Sequence, residues 1–178
     1  MLDPTSYQTP RLLLQRPTDS DLPILFQTVC SDPSVTRFVG WPRHVTIEDT
    51  KAFLAFSDSE WSLWPLGPLL IKSREDGSLI GTTGLAFETP YRASTGFVLS
   101  RSAWGSGLAS ESLTAVAKIA VRLGVQRLYA LCHVDHVASI RVLERCNFIR
   151  EGVLSKYLVF PNLESTAAQD VCCYAHTH

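Results

Sequence analysis

The order of its elements predicts a mixed α/β protein, a sheet covered by helices. Three observations carry this: helical spacing in two early stretches, a meander of short β-compatible runs in the middle, and strand alternating with helix towards the C-terminus. With 178 residues, 46% of them hydrophobic and 19% charged, the chain reads as a single domain. At that length folding buries roughly 70% of the unfolded surface, so a core forms without disulfide or metal staples.

Residues 1–8 read as an extended N-terminal segment, and Arg11-Leu-Leu-Leu-Gln-Arg16 as a first strand. Thr18 caps a helix from Asp19 to Val29, whose Leu22, Leu25, Phe26 and Val29 recur at helical spacing, and Asp32-Pro33 ends it. Thr46-Ile-Glu-Asp49 announces a second helix, with acids in its first turn, running to about Phe56 or a little beyond. Then the period changes. Runs 67–72 and 79–87 form an antiparallel hairpin through the turn at Arg74-Glu-Asp-Gly-Ser78, and 93–99 adds a further strand. A long amphipathic helix over 108–123 follows, with Ala109, Leu113, Val116, Ala120 and Leu123 on one face and Lys118 and Arg122 facing away. A strand over 126–132, a helix over 137–146 capped by Asp135 and stopped by a left-handed Asn147, and strands near 153–160 and 169–175 complete the chain.

Composition excludes several functions. Sixteen Lys and Arg against seventeen Asp and Glu give a net charge of -1, without the basic footprint of a nucleic-acid binder. Cys30, Cys132, Cys146, Cys172 and Cys173 are odd in number and scattered, with no C-x-x-C, which argues for a reducing compartment and against a disulfide framework or zinc ribbon. No apolar run approaches the ~18 residues of a membrane span, and no signal-like start is present, so a soluble cytoplasmic protein is expected. Cys132, His133 and His136 invite a metal reading, but no third ligand set converges, and no metal is expected. Cys172 and Cys173 should point to opposite faces of their strand.

The richest segment runs from Phe97 to Leu113: a strand, a short loop holding Gly105 and Gly107, then a helix. Glycine lets main-chain N–H groups turn into one concavity, and the helix adds its unpaired first-turn N–H groups, so a pyrophosphate suits this place. A tight strand-to-helix turn is the plainer alternative. A dinucleotide fold needs G-x-G-x-x-G near the first strand, but Ser110 stands three after Gly107; a P-loop needs a G-K-[ST] that is missing.

A second segment, Cys132 to Phe148, resolves the choice. In order and spacing the pair resembles the GNAT superfamily of acyl-CoA-dependent N-acetyltransferases, and the wider match is to its RimJ/RimL-like branch. Nearly the whole chain takes part: Thr9 to Pro17 resembles the opening strand, Ser31 to Phe38 the first helix-to-loop turn, Gly81-x-x-Gly84 and Gly96-Phe-Val the central strands, and Gly152-Val-Leu and Asp170 to Tyr174 the closing ones. The resemblance implies a single N-acetyltransferase domain over 1–178, its central twisted sheet of about seven strands mostly antiparallel and flanked by helices.

It also implies a function: transfer of an acetyl group from acetyl-CoA, the acyl-donor cosubstrate, to a protein N-terminal α-amine or a small-molecule amine by direct attack, through a tetrahedral intermediate that expels the CoA thiolate. The family's [Q/R]-x-x-G-x-[G/A] loop falls on Trp104, Gly105, Ser106, Gly107, Leu108 and Ala109, with Trp104 in the variable first place. Main-chain groups of Val98 and Leu99 would align the pantetheine arm. Ser139 matches the family's helix serine and would protonate the thiolate; a serine bonded to its own backbone is the plain alternative. His136 stands where the family has a cofactor-touching Asn, and Asn147 where it has Gly before Phe148. The branch's usual base position is Ser94, leaving Glu88 or His133 to relay a proton through water. Phe38, Trp41 and His44 are candidates for the acceptor wall, and Trp61 and Trp64 for the core or a second face of that wall. A homodimer walling the acceptor pocket is a further family feature. Two other readings stand beside the enzyme: an acyl-CoA-binding module without catalysis, and a scaffold that keeps only the fold.

Overall fold

The computed structural model describes residues 6–177. Its strands are β1 (Ser6–Gln8), β2 (Leu12–Gln15), β3 (Pro68–Ser73), β4 (Leu79–Thr89), β5 (Arg92–Leu99), β6 (Arg127–His133), β7 (Ile149–Leu158) and β8 (Gln169–Thr177), in one sheet ordered β1-β2-β3-β4-β5-β6-β8-β7. Its α-helices are α1 (Leu22–Leu25), α2 (Ile47–Leu63), α3 (Leu108–Arg122) and α4 (Val137–Arg145). Every neighbouring pair of strands is antiparallel except β5 and β6. The mixed, mostly antiparallel architecture expected from the sequence is therefore present. The eighth strand comes from Ser6–Gln8, which pairs with β2 and so belongs to the sheet.

β3 shows how the layers are built. Leu69 and Ile71 join the large cluster that α3 and α4 cover through Leu113, Val116, Ala120 and Leu143, while Leu70 between them joins a second cluster with Leu25, Val29 and Cys30. All three β3 residues are fully buried, as period-2 alternation requires of a strand covered on both faces. Gly84 at φ 140 lets β4 pass close to the preceding turn, where a Cβ would stand 2.6 Å from the Gly67 carbonyl.

The first helix is not a regular α-helix. A 3-10 turn at Asp19–Asp21, boxed by Thr18 and Asp21, leads through α1 into a π turn at Phe26–Cys30. α2 begins at the expected Thr46 box, where Asp49 accepts from the Thr46 and Val45 N–H groups at 2.9 Å each. It continues to Leu63, past the expected end near Phe56, with Thr50, Leu54 and Ser57 buried and Trp61 packed on the core, and stops where Trp64, the residue before Pro65, turns extended. β7 starts at Ile149, four residues earlier than the pattern indicated. As an edge strand it is largely exposed, so its start carries no apolar alternation. Trp61 and Trp64 pack at the rim of the core: Trp61 Nε1 donates to the Pro68 carbonyl at 2.9 Å, and Trp64 stacks on Phe87. Cys172 is buried, whereas Cys173 is turned outward beside Glu151.

Candidate active site

β5 and β6 run parallel but are paired at only three positions, Arg92 with Arg127, Ala93 with Leu128 and Ser94 with Tyr129. Beyond Ser94 the two strands part while each continues, to Leu99 and to His133. A cavity of about 840 Å³ fills the split. Its walls are the ends of both strands, the loop from Ala103 to Ser110, the exposed side of α4, and the segment from Pro33 to Val39.

The parity of pairing decides which main-chain groups face this split. Ser100 N–H donates to the Ile80 carbonyl at 2.8 Å, and a Cβ on Gly81 would stand 2.1 Å from the Val98 carbonyl oxygen, so residues 98 and 100 turn towards β4. By strand alternation Phe97 and Leu99 turn the other way. The open edge is therefore Phe97 and Leu99, where the sequence pointed to Val98 and Leu99.

Gly105 and Gly107 have φ 72 and 80, the left-handed region that side chains disfavour. Gly107 is the N-cap of the 15-residue α3, and no side chain caps that helix. Its first-turn N–H groups are thus left for an anion. Nothing lies within 4 Å of a Cβ placed on Gly105, so the concavity is open. Trp104 does not reach for a ligand: its Nε1 donates to the Leu99 carbonyl at 2.8 Å and closes the base of the loop. Val98, Leu99, Trp104, Gly105, Gly107 and Ala109 line the cavity, but Ser106 and Leu108 do not. Ser106 donates to the Ala103 carbonyl, and Leu108 packs on the core.

Two bracing side chains leave no trace in the local sequence pattern. Arg11 donates through Nη1 to the Ser106 carbonyl at 3.0 Å and bonds Glu111, at the end of the first turn of α3, through Nε at 2.6 Å. Glu111 Oε1 also accepts from Thr9 Oγ1 and from the Arg11 N–H. Burial works to raise the Glu111 pKa, yet these bonds outweigh it and hold the carboxyl below the ordinary range.

On α4 the N-cap is His136, one residue later than the expected Asp135, and its side chain makes no cap. His136 and Ser139 both line the cavity, and among the described residues neither side chain has a hydrogen-bond partner. The Ser139 hydroxyl is thus not tied back to its own helix. The His136 ring stacks on Phe38 at 4.7 Å.

The other sequence candidates lie elsewhere. His133 is buried behind the wall, with Nε2 2.7 Å from Gln169 Oε1 and Nδ1 accepting the Asp135 N–H at 3.0 Å. Glu88 is outside the cavity, bonded to the Tyr129 hydroxyl and to Arg92. Phe38 lines the cavity, but Trp41 and His44 do not: Trp41 packs on the second core cluster, and His44 Nδ1 pairs with Thr50 Oγ1 at 2.9 Å. Asn162 holds their segment, donating to the Thr36 and Trp41 carbonyls at 2.7 and 3.0 Å and accepting the Arg43 N–H at 2.8 Å.

Arg37, Arg141 and Arg145 line the cavity, and among the described residues no Asp or Glu does. That charge suits an anionic ligand held by main-chain N–H groups. Among the described residues no three His, Cys, Asp or Glu converge as a metal site, and no helix is long and apolar enough to cross a membrane.

Comparisons with known proteins agree with this geometry. The uncharacterized N-acetyltransferase YoaA of Bacillus subtilis (strain 168) is 31% identical over 159 residues, 85% of this chain and 86% of that protein. The RimL ribosomal alpha-N-protein acetyltransferase, solved in complex with coenzyme A, is 26% identical over 95% of each chain, with a TM-score of 0.82. The microcin self-immunity acetyltransferase MccE, solved in complex with acetyl-CoA and AMP, shares the fold at a TM-score of 0.88, with 20% identity over 99% of this chain and 98% of its own. The family model described as acetyltransferase (GNAT) domain matches residues 11–149. A split sheet, an uncapped helix behind two left-handed glycines and a match over most of the sequence lead to one conclusion: the chain belongs to the GNAT acetyltransferase family.

Proposed function

We propose that the protein transfers an acetyl group from acetyl-CoA to a primary amine, a protein N-terminal α-amine or a small-molecule amine, by direct attack within a ternary complex. The observation that carries this reading is the left-handed Gly105 and Gly107 loop, opening with an uncapped helix N-terminus into the cavity between β5 and β6. The open space at Gly105 and the arginine-rich wall fit a diphosphate. The relatives solved with acetyl-CoA and coenzyme A support the choice of carrier.

When bound, the carrier supplies an acetyl group already activated as a thioester. The chain's own residues hold and orient it. N–H groups of the loop and first turn of α3 take the diphosphate, and Arg141 and Arg145 add positive charge. The edge at Phe97 and Leu99, whose Leu99 carbonyl is already taken by Trp104, offers its remaining main-chain groups to the extended arm as a strand would, and a main-chain N–H there polarises the thioester carbonyl. Ser139 donates its hydroxyl proton to the leaving sulfur and regains one from the attacking nitrogen, which sheds its second proton as the amide forms. The acceptor enters past Phe38, on the segment that Asn162 fixes. Most of the acceleration comes from holding two reactants side by side.

Titration calorimetry with acetyl-CoA, followed by assay of CoA release over a panel of amines and short peptides with free N-termini, tests the reading. Binding with amine-dependent release is expected. Binding without release from any acceptor would instead assign an acyl-CoA-binding module, and absence of binding would overturn the site altogether.

A further inference from the structure

The transfer needs a proton acceptor, because an amine attacks only when neutral, and the sequence candidates for that role fail on geometry. Glu88 lies outside the cavity and is engaged by Tyr129 and Arg92. His133 has both ring nitrogens occupied, by Gln169 and by the Asp135 N–H. Among the described residues the titratable side chains on the cavity wall are Arg37, Cys132, His136, Arg141 and Arg145. A guanidinium offers donors only and has no acceptor for a proton. Burial pushes the Cys132 thiol up to about 12, so it is a poor partner for proton exchange at neutral pH.

Resting on the transferase reading above, we propose that the imidazole of His136 takes the proton from the acceptor ammonium. The ring lines the cavity three residues before Ser139, and neither of its nitrogens is bonded to the protein among the described residues. Phe38 stacks on one face at 4.7 Å and fixes the ring plane, while Phe38 also packs on His133 at 5.1 Å. In the step, a ring-nitrogen lone pair accepts one proton from the ammonium, leaving a neutral amine with its lone pair free and an imidazolium on His136. That proton later passes to water at the cavity mouth. The charged and titratable groups nearby are His133 at the end of β6, Asp135 on the turn after it, Arg37 beside Phe38, and Arg141 further along α4. Burial, and His133 beside it, hold the His136 pKa below that of a free imidazole, so the ring is in its accepting form at neutral pH.

His136→Asn and His136→Gln keep a polar side chain of similar reach but cannot take a proton. With alanine amide and a Ser-Ala-Gly peptide as acceptors, each should lower kcat at pH 7 by about 10- to 100-fold. The Kd for acetyl-CoA should stay within about threefold, and the loss should shrink towards pH 9, where the acceptor α-amine, with a pKa of about 8, is already neutral. Diethyl pyrocarbonate, which acylates neutral imidazole, gives a readout that needs neither acceptor nor variant. Peptide mapping should find His136 modified faster than His133, and acetyl-CoA should block the reaction. Wild-type kcat and pH profile in both variants would overturn the role, as would a His136 inert to the reagent. A wild-type protein that fails to bind acetyl-CoA would sink the transferase reading itself, a result distinct from a wild type and variants that transfer equally well.

Discussion

The Arg11 guanidinium lies 2.6 Å from the Glu111 carboxylate, tying the chain ahead of β2 to the first turn of α3. Because Arg11 also holds the Ser106 carbonyl, the N-terminal strand sets the shape of the Gly105 and Gly107 loop. Glu111→Gln leaves Arg11 without its charge partner. It should weaken acetyl-CoA binding about three- to tenfold, with a stability loss of only about 1 kcal/mol because Arg11 is half exposed. Calorimetry and thermal melts measure both; unchanged affinity would free the loop from this brace.

Gly107 has φ 80 at the N-cap of α3. Gly107→Asp forces a side chain into the left-handed region, at about 1–2 kcal/mol, and sets a carboxylate before the N–H groups offered to a diphosphate. Acetyl-CoA affinity should fall at least tenfold. Gly107→Ala, strained but uncharged, should lose less, and equal losses from the two would remove the electrostatic part of the argument.

Ser139 lines the cavity and has no hydrogen bond among the described residues, so removing its hydroxyl leaves no polar group stranded. Ser139→Ala should keep the fold and the acetyl-CoA Kd while turnover drops by about tenfold or more. A wild-type kcat would exclude it from the chemistry.

Asn162 ties three main-chain groups of the 36–43 segment to the β7–β8 connection. Asn162→Ala should cost about 2 kcal/mol of stability. Since that segment carries Phe38, the acceptor KM should rise while the acetyl-CoA Kd holds. A proportional rise in both would mean the segment serves the whole cavity.

Two histidines make stability depend on pH. Burial lowers the pKa of His44 despite Asp49 beside it, and burial with His133 lowers that of His136. In the unfolded chain both titrate near 6.5. Below that pH the unfolded state therefore binds more protons than the native state, and stability falls as pH drops through the depressed native values. Melting temperature should decline from pH 7 to pH 5, and less steeply in His44→Gln. A flat profile over that range would contradict the neutral, buried forms.

What the sequence showed clearly is what neighbouring residues decide. The Thr46 box, the left-handed Asn147 and the glycines before α3 follow from local backbone chemistry and lie where expected. Pairing parity is different: that Phe97, and not Val98, opens to the split depends on which β4 residue lies opposite, which no local pattern contains. Glu88 and His133 looked available because sequence shows a titratable group but not the partner that occupies it, Tyr129 in one case and Gln169 in the other. Arg11 with Glu111, and Asn162 with Thr36, join residues 100 and 126 positions apart, so their pairing leaves no periodic trace.

Under the proposed transfer, the parting of β5 and β6 after Ser94 leaves the carrier to be held by peptide backbone, whereas the acceptor would meet a tethered surface segment. Exchanging residues 33–44 for a loop of another shape would then redirect the protein to a new amine while its grip on the carrier stayed as it was. The fold behaves like a fixed socket with a replaceable jaw.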